Sequence, residues 1–160
     1  MKQVTSGARR GFTTIELLIA LVILGVLLAV ALPNFQSSIR KGRRSEAFTA
    51  LNAVQQAQER HRSTNATFTT LITEATTATP PGLGLPATRT PTGYYDLAVS
   101  SADATTYVAT ATAVSGTSQA NDGDCSVLAL RMQGGNVRYG SGASIDWSGT
   151  NTDPQRCWAR

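Results

Sequence analysis

Histidine occurs once in this chain and cysteine twice. A lone imidazole at His61 and two distant cysteines, Cys125 and Cys157, leave no metal-ligand cluster and no C-x-x-C redox pair, so no metal and no cofactor are expected. There is no G-x-S-x-G, no Walker loop and no H-E-x-x-H run. The motifs that bring a nucleophile or a metal-bound water up to a base are thus missing, and the chain is not expected to be an enzyme. His61 falls in a helical stretch and is expected on its surface or at an interface. Charge of one sign is scarce too. The formal net charge is +4, and Lys2, Arg9 and Arg10 in the first eleven residues account for three of it, leaving about +1 for the remainder. Bulk attraction to nucleic acid is therefore weak.

What the sequence has in quantity is apolar residues in one place. Phe12 to Leu32 is a run of 21 residues carrying a single carboxylate, Glu16, near its start. At about 1.5 Å rise per residue it spans roughly 31 Å, close to the hydrocarbon core of a bilayer. A charge within lipid costs roughly 2.5–3.5 kcal/mol at a helix centre, so Glu16 calls for a functional reason. Three readings compete. One is a plain membrane anchor. Another is a secretory signal peptide, with a small-x-small site at Ala29-Val30-Ala31, but the run is longer than a usual apolar region of that kind, holds Glu16, and stays helix-prone beyond Pro33.

The third rests on a motif. Gly11 to Leu21 reads G-F-T-T-I-E-L-L-I-A-L, and it resembles the prepilin motif of type IV pilins. The resemblance implies a leader, residues 1–11, removed by a prepilin peptidase between Gly11 and Phe12, with Phe12 then N-methylated. It assigns Glu16 to filament assembly, Gly25 to a mid-segment glycine and Pro33 to a helix-kinking proline, with residues 25–33 prone to lose helicity in a fibre. After cleavage one subunit's Glu16 would meet the Phe12 amine of a neighbour; each charge is costly alone in an apolar core, and pairing offsets that cost and sets the register. The bland alternative is that Glu16 sits near a helix start, favoured by the helix dipole. Three cations precede the span and Arg40, Lys41, Arg43 and Arg44 follow it, so charge counting leaves orientation open. The resemblance places the N-terminus in the cytoplasm.

Downstream, Ala47, Ala50, Leu51, Val54 and Ala57 recur at helical spacing, opposite Gln55, Gln56, Glu59 and Arg60. The helix is expected to run to about Arg62, where Ser63-Thr64-Asn65 ends it. The basic run at 40–44 has two readings. It is a solvated face near headgroups, paired with acids of neighbouring subunits, or it is a DNA contact. No aromatic residue interleaves with it, so a stacking platform for single strands is absent there.

Residues 63–92, rich in Thr, Ala, Pro and Gly, read as a long surface loop, and Asn65-Ala66-Thr67 within it matches a glycosylation sequon. Strands are predicted at 94–99, 106–114, 125–132 and 137–139, an antiparallel meander with one face on the helix. The fold class is α+β: a long, partly transmembrane N-terminal helix on a 3–4-stranded antiparallel sheet. Gly-Tyr-Tyr before the first strand, Asp124-Cys125 opening the third and Cys157-Trp158 near the end resemble a pilin head, closest to PilE-like and ComP-like small pilins. In an exported domain Cys125 and Cys157 read as one disulfide, worth roughly 3–4 kcal/mol by loop entropy. The parts are then a leader 1–11, an apolar helix 12–33, an amphipathic continuation 34–62, a loop 63–92, a sheet 93–140 and a cysteine-bounded region 125–157.

The resemblance implies a structural subunit, of a minor pilin's kind, in a type IV pilus for motility, adhesion or DNA uptake. Its partners would be other pilin subunits, the prepilin peptidase, the inner-membrane assembly platform and, before assembly, membrane lipid. The alternatives are a DNA-binding uptake receptor pilin and a pseudopilin of type II secretion. Near-neutral charge around the cysteine-bounded region gives no strong nucleic-acid footprint.

Overall fold

The computed structural model describes residues 11–158, without the side chains of residues 33 and 34; the expected leader up to residue 10 lies outside the described residues. The chain forms two compact units, Met1–Ser38 and Ile39–Arg160. One helix, α1 (Thr14–Arg62), contributes to both. Its backbone is helical through Gly25 and residue 33 without interruption.

In the first unit the reason for helix is composition. Leu, Ile, Val and Ala fill every turn, and from Ile15 to Leu32 the large apolar side chains are exposed. By length and composition this segment can cross a membrane, and none of its apolar window is buried within the chain. An apolar helix with nothing over it needs lipid or protein as its cover.

In the second unit α1 presents Ala47, Phe48, Leu51, Val54, Ala57, Gln58 and His61 to the core, the stripe that a 3.6-residue period places on one side. The expected face is there, with Ala50 half-buried at its edge and Phe48 added. His61 is buried rather than on the helix surface, its Nε2 3.3 Å from the Pro81 carbonyl oxygen. Its position in the last turn brings it under the following loop, a contact invisible to helix periodicity.

Four antiparallel strands follow in sequential order: β1 (Tyr95–Ser100), β2 (Thr106–Ala113), β3 (Val127–Gln133) and β4 (Asn136–Ser141). Alternation along β2 buries Tyr107, Ala109 and Ala111, opposite Met132, Leu130 and Leu128 of β3. Leu130 and Leu128 thus face the small Ala109 and Ala111 across the ladder, while Tyr107 meets Met132. Gly134 and Gly135, with φ of 56° and 85°, form the two-residue β3–β4 turn, a conformation of mirror-image handedness that glycine adopts without strain.

Three expectations need correction. Cys125 is not in a strand: it sits in a short 3₁₀ turn, Gly123–Ser126, and β3 begins at Val127. The Cys125 N–H donates back to the Asp122 carbonyl at 3.2 Å, which closes the turn. The fourth strand runs past Tyr139 to Ser141, because Gly140 pairs with Ala129 instead of starting a loop. Residues 63–92 are a loop without helix, but not merely a surface one, for Phe68, Ile72 and Leu83 enter the core. Backbone bonds from Leu83 N to Leu71 O (2.8 Å) and from Leu85 N to Ile72 O (3.0 Å) fold the loop on itself.

Candidate assembly segment and head surface

The N-terminal segment is organised around Thr13 and Glu16. Thr13 Oγ1 accepts from the Glu16 N–H at 3.3 Å, and Glu16 Oε2 accepts from both Thr13 N (3.2 Å) and Thr13 Oγ1 (3.2 Å). This is a capping box: two backbone donors that a helix start leaves free are satisfied reciprocally. The sequence T-x-x-E dictates it, and it gives Glu16 a local partner in the isolated subunit. Gly11 and Phe12 precede the helix and are exposed. A Cβ at Gly25 would meet nothing within 4 Å. Residue 33 is helical in backbone, and its side chain lies outside the description.

On the head, the basic run is solvated only in part: Lys41 is exposed, whereas Arg40, Arg43 and Arg44 are half-buried. Arg44 makes a two-pronged pair with Asp122, Nε to Oδ2 at 2.7 Å and Nη2 to Oδ1 at 2.9 Å. Arg40 approaches the same carboxylate at 3.7 Å. Gln119, fully buried, donates from Nε2 to Asp122 Oδ2 (2.9 Å) and to the Arg40 carbonyl (3.2 Å). The hydrogen bond to Asp122 holds the Arg44 guanidinium above its ordinary pKa. Arg43 lies 4.1 Å from the centre of the Tyr94 ring and donates to Ser118. Arg40 and Arg44, four apart, share a side of α1, and that side faces the 3₁₀ turns. Burial pushes the neighbouring Tyr95 hydroxyl up to about 12, with Asp122 adding to the effect and Gln119 opposing it.

The C-terminal region hangs on two anchors. Cys125 and Cys157 are bonded, with Cα atoms 5.4 Å apart. Asp153, which sequence reasoning did not single out, gathers the other: its Oδ1 accepts from Cys157 N (2.9 Å) and Ser141 Oγ (2.6 Å), its Oδ2 from Trp158 N (3.0 Å). Trp158 stacks on Phe48 at 4.7 Å and donates from Nε1 to the Gly140 carbonyl at 2.8 Å. Ile145 and Trp147 close over Gly140, where an added Cβ would stand 2.8 and 3.1 Å from them. Asn65 of the sequon donates from Nδ2 to the His61 carbonyl at 2.8 Å, so its amide is engaged in ending α1.

Residues 33–129, more than half of the chain, match the family described as type IV minor pilin ComP, DNA uptake sequence receptor. The chain belongs to the type IV minor pilin family. Residues 7–32 of this pilin also match the prokaryotic N-terminal methylation motif. Relatives include a fimbrial protein of Moraxella nonliquefaciens, 39% identical over 61 residues, which are 38% of this chain and 40% of the relative. The type IV major pilin protein PilA of Myxococcus xanthus (strain DK1622) is 48% identical over 50 residues, 31% of this pilin and 23% of PilA. Fimbrial protein EcpC of Eikenella corrodens is 48% identical over 40 residues, 25% of this pilin and 26% of EcpC. The pilin thus spans well under two thirds of the length of these curated relatives. The apolar helix and the methylation motif fit a membrane-anchored pilin.

Proposed function

We propose that this chain is a structural subunit, a minor pilin, of a type IV pilus. In this reading it waits in the bacterial inner membrane as a single-pass protein with a cytoplasmic N-terminus, in contact with lipid. The prepilin peptidase cuts between Gly11 and Phe12 and methylates the Phe12 amine. The assembly platform then draws the subunit into an extracellular fibre with other pilins. The observation that carries the reading is an apolar helix with no cover of its own and with Glu16 in its first turn. In the fibre the neighbours' helices replace lipid, and Glu16 exchanges part of its bonding to Thr13 for a neighbour's Phe12 amine. Gly25 and the proline at 33 supply the weak points at which the helix adjusts.

The mass of the mature N-terminal peptide tests this. A methylated Phe12 is expected; Leu32 as first residue means ordinary secretion and sinks the proposal. A C-terminal reporter found in the cytoplasm would sink it as well. Sheared surface fibres containing the chain distinguish a pilus from a type II secretion pseudopilus.

The family's description as a DNA uptake sequence receptor favours a second reading, in which the head also captures DNA. It predicts binding that falls steeply with salt. No shift of labelled duplex in a low-salt gel assay removes it.

A further inference from the structure

The outward side of the sheet sets two like charges side by side. Arg131 of β3 and Arg138 of β4 stand directly opposite one another across the antiparallel ladder. Cβ atoms at such a position lie about 4.5–5.5 Å apart, and like charges there are destabilising. The same cross-sheet row continues through Val108 to Ser100, so no carboxylate stands in it to neutralise the pair.

The two arginines are held differently. Arg138 donates from both terminal nitrogens to the carbonyls of Trp147 and Gly149, which fixes its guanidinium against the loop; among the described residues it makes no further hydrogen bond. Arg131 has no hydrogen bond and no ion pair among the described residues, and its Nε is buried without a partner. Its guanidinium lies 6.0 Å from the centre of the Trp147 ring. Asp146 is near enough to feel the charge of Arg138, but its Oδ1 is already accepting from Ser148 N (2.9 Å) and Ser148 Oγ (2.6 Å). A buried donor without an acceptor, and two facing cations with only the Asp146 carboxylate beside Arg138 to offset them, are both relieved by one group: a compact oxyanion between the guanidinia, accepting several N–H bonds at once.

We infer that Arg131 and Arg138 form a clamp for a phosphodiester, with Trp147 beside it as a surface for an adjoining base. Guanidinium forks match phosphate oxygens in geometry, and an indole next to a bound phosphate is the pairing that nucleic-acid sites use. The ligand's identity rests on the receptor reading, in which it is the backbone of DNA; the anion site does not. The clamp contributes a fixed local contact, which suits a head of small net charge better than a diffuse basic surface does.

The test uses the full chain in neutral detergent micelles. Inorganic phosphate is titrated at constant ionic strength, with chloride as the balancing anion, while the Trp147 indole N–H resonance is followed. A saturable shift is expected in the wild type, lost in Arg131→Gln and retained at reduced size in Arg131→Lys. Duplex binding is then measured against salt. Arg131→Gln should lower the slope of log K against log salt by about 0.9, while Arg131→Lys keeps it. Arg131 is the site changed because Arg138 also holds the loop. Absence of a phosphate response at Trp147 in the wild type overturns the clamp, whatever DNA does. DNA binding with an unchanged slope in Arg131→Gln overturns it and leaves the receptor reading standing. A phosphate response without DNA binding keeps the clamp and removes the receptor.

Discussion

At the residue scale, single carboxylates decide more than their number suggests. Asp122 meets Arg44, Gln119 and Arg40 with its side chain only 6% exposed. Removing one partner of a buried ion pair leaves the other charged and unsatisfied, a loss of about 3–5 kcal/mol. Asp122→Ala should therefore lower unfolding stability by about 3 kcal/mol, read from the denaturant midpoint, whereas the double change Arg44→Met with Asp122→Leu should recover much of it. Asp103 acts in the open. It accepts from the N–H groups of Thr105 and Thr106, both at 2.7 Å, and those bonds hold its carboxyl below the ordinary value. A depressed folded value means stabilisation that is full above the unfolded carboxylate range, about pH 4, and lost as pH falls through the folded value. The Asp103 carboxyl resonance should titrate below that range, and the β1–β2 turn should loosen only when it does. A titration at the ordinary value would contradict this.

At the element scale, the β4 edge and the region after it act as one piece. Gly140 exists as a glycine because Ile145 and Trp147 occupy the space of a side chain. Gly140→Ala should loosen residues 142–156, seen as faster amide exchange there with β1 and β2 unchanged. The disulfide ties the same region to the turn before β3. Replacing both cysteines by serine should cost about 3–4 kcal/mol by loop entropy, measured against the wild type under oxidising conditions. Neither β4's length nor the seat of Cys125 was legible beforehand. Gly140 reads as a turn residue until a tertiary neighbour needs its missing side chain. Asp122 and Arg44 are 78 positions apart, a separation at which no local pattern connects two charges.

At the scale of the whole molecule, the helix and the head obey different demands. The head closes its own core around Leu51, Val54, Tyr107 and Leu130. The apolar helix closes nothing by itself. In the fibre, Glu16→Ala should reduce incorporation to near background, while the folded head, followed by circular dichroism, stays intact. Thr13 already bonds Glu16 in the isolated subunit, so Thr13→Val should weaken helix initiation by about 1 kcal/mol and lower incorporation less than Glu16→Ala does. Equal incorporation of Glu16→Ala and wild type, scored in sheared fibres, would count against the assembly proposal.

Periodicity and local chemistry were enough for some features: the apolar span, the amphipathic stripe of α1 with its end at Arg62, and the order of the four strands. Each depends on residues near one another in the chain, where spacing alone fixes which side chains meet. The inward roles of Arg40, Arg44 and His61, the core positions of Phe68, Ile72 and Leu83, the Asp153 hub and the facing of Arg131 with Arg138 were decided by the tertiary structure. They depend on segments far apart in the chain, and a buried charge or an isolated apolar residue in a loop finds its partner only when the core closes around it.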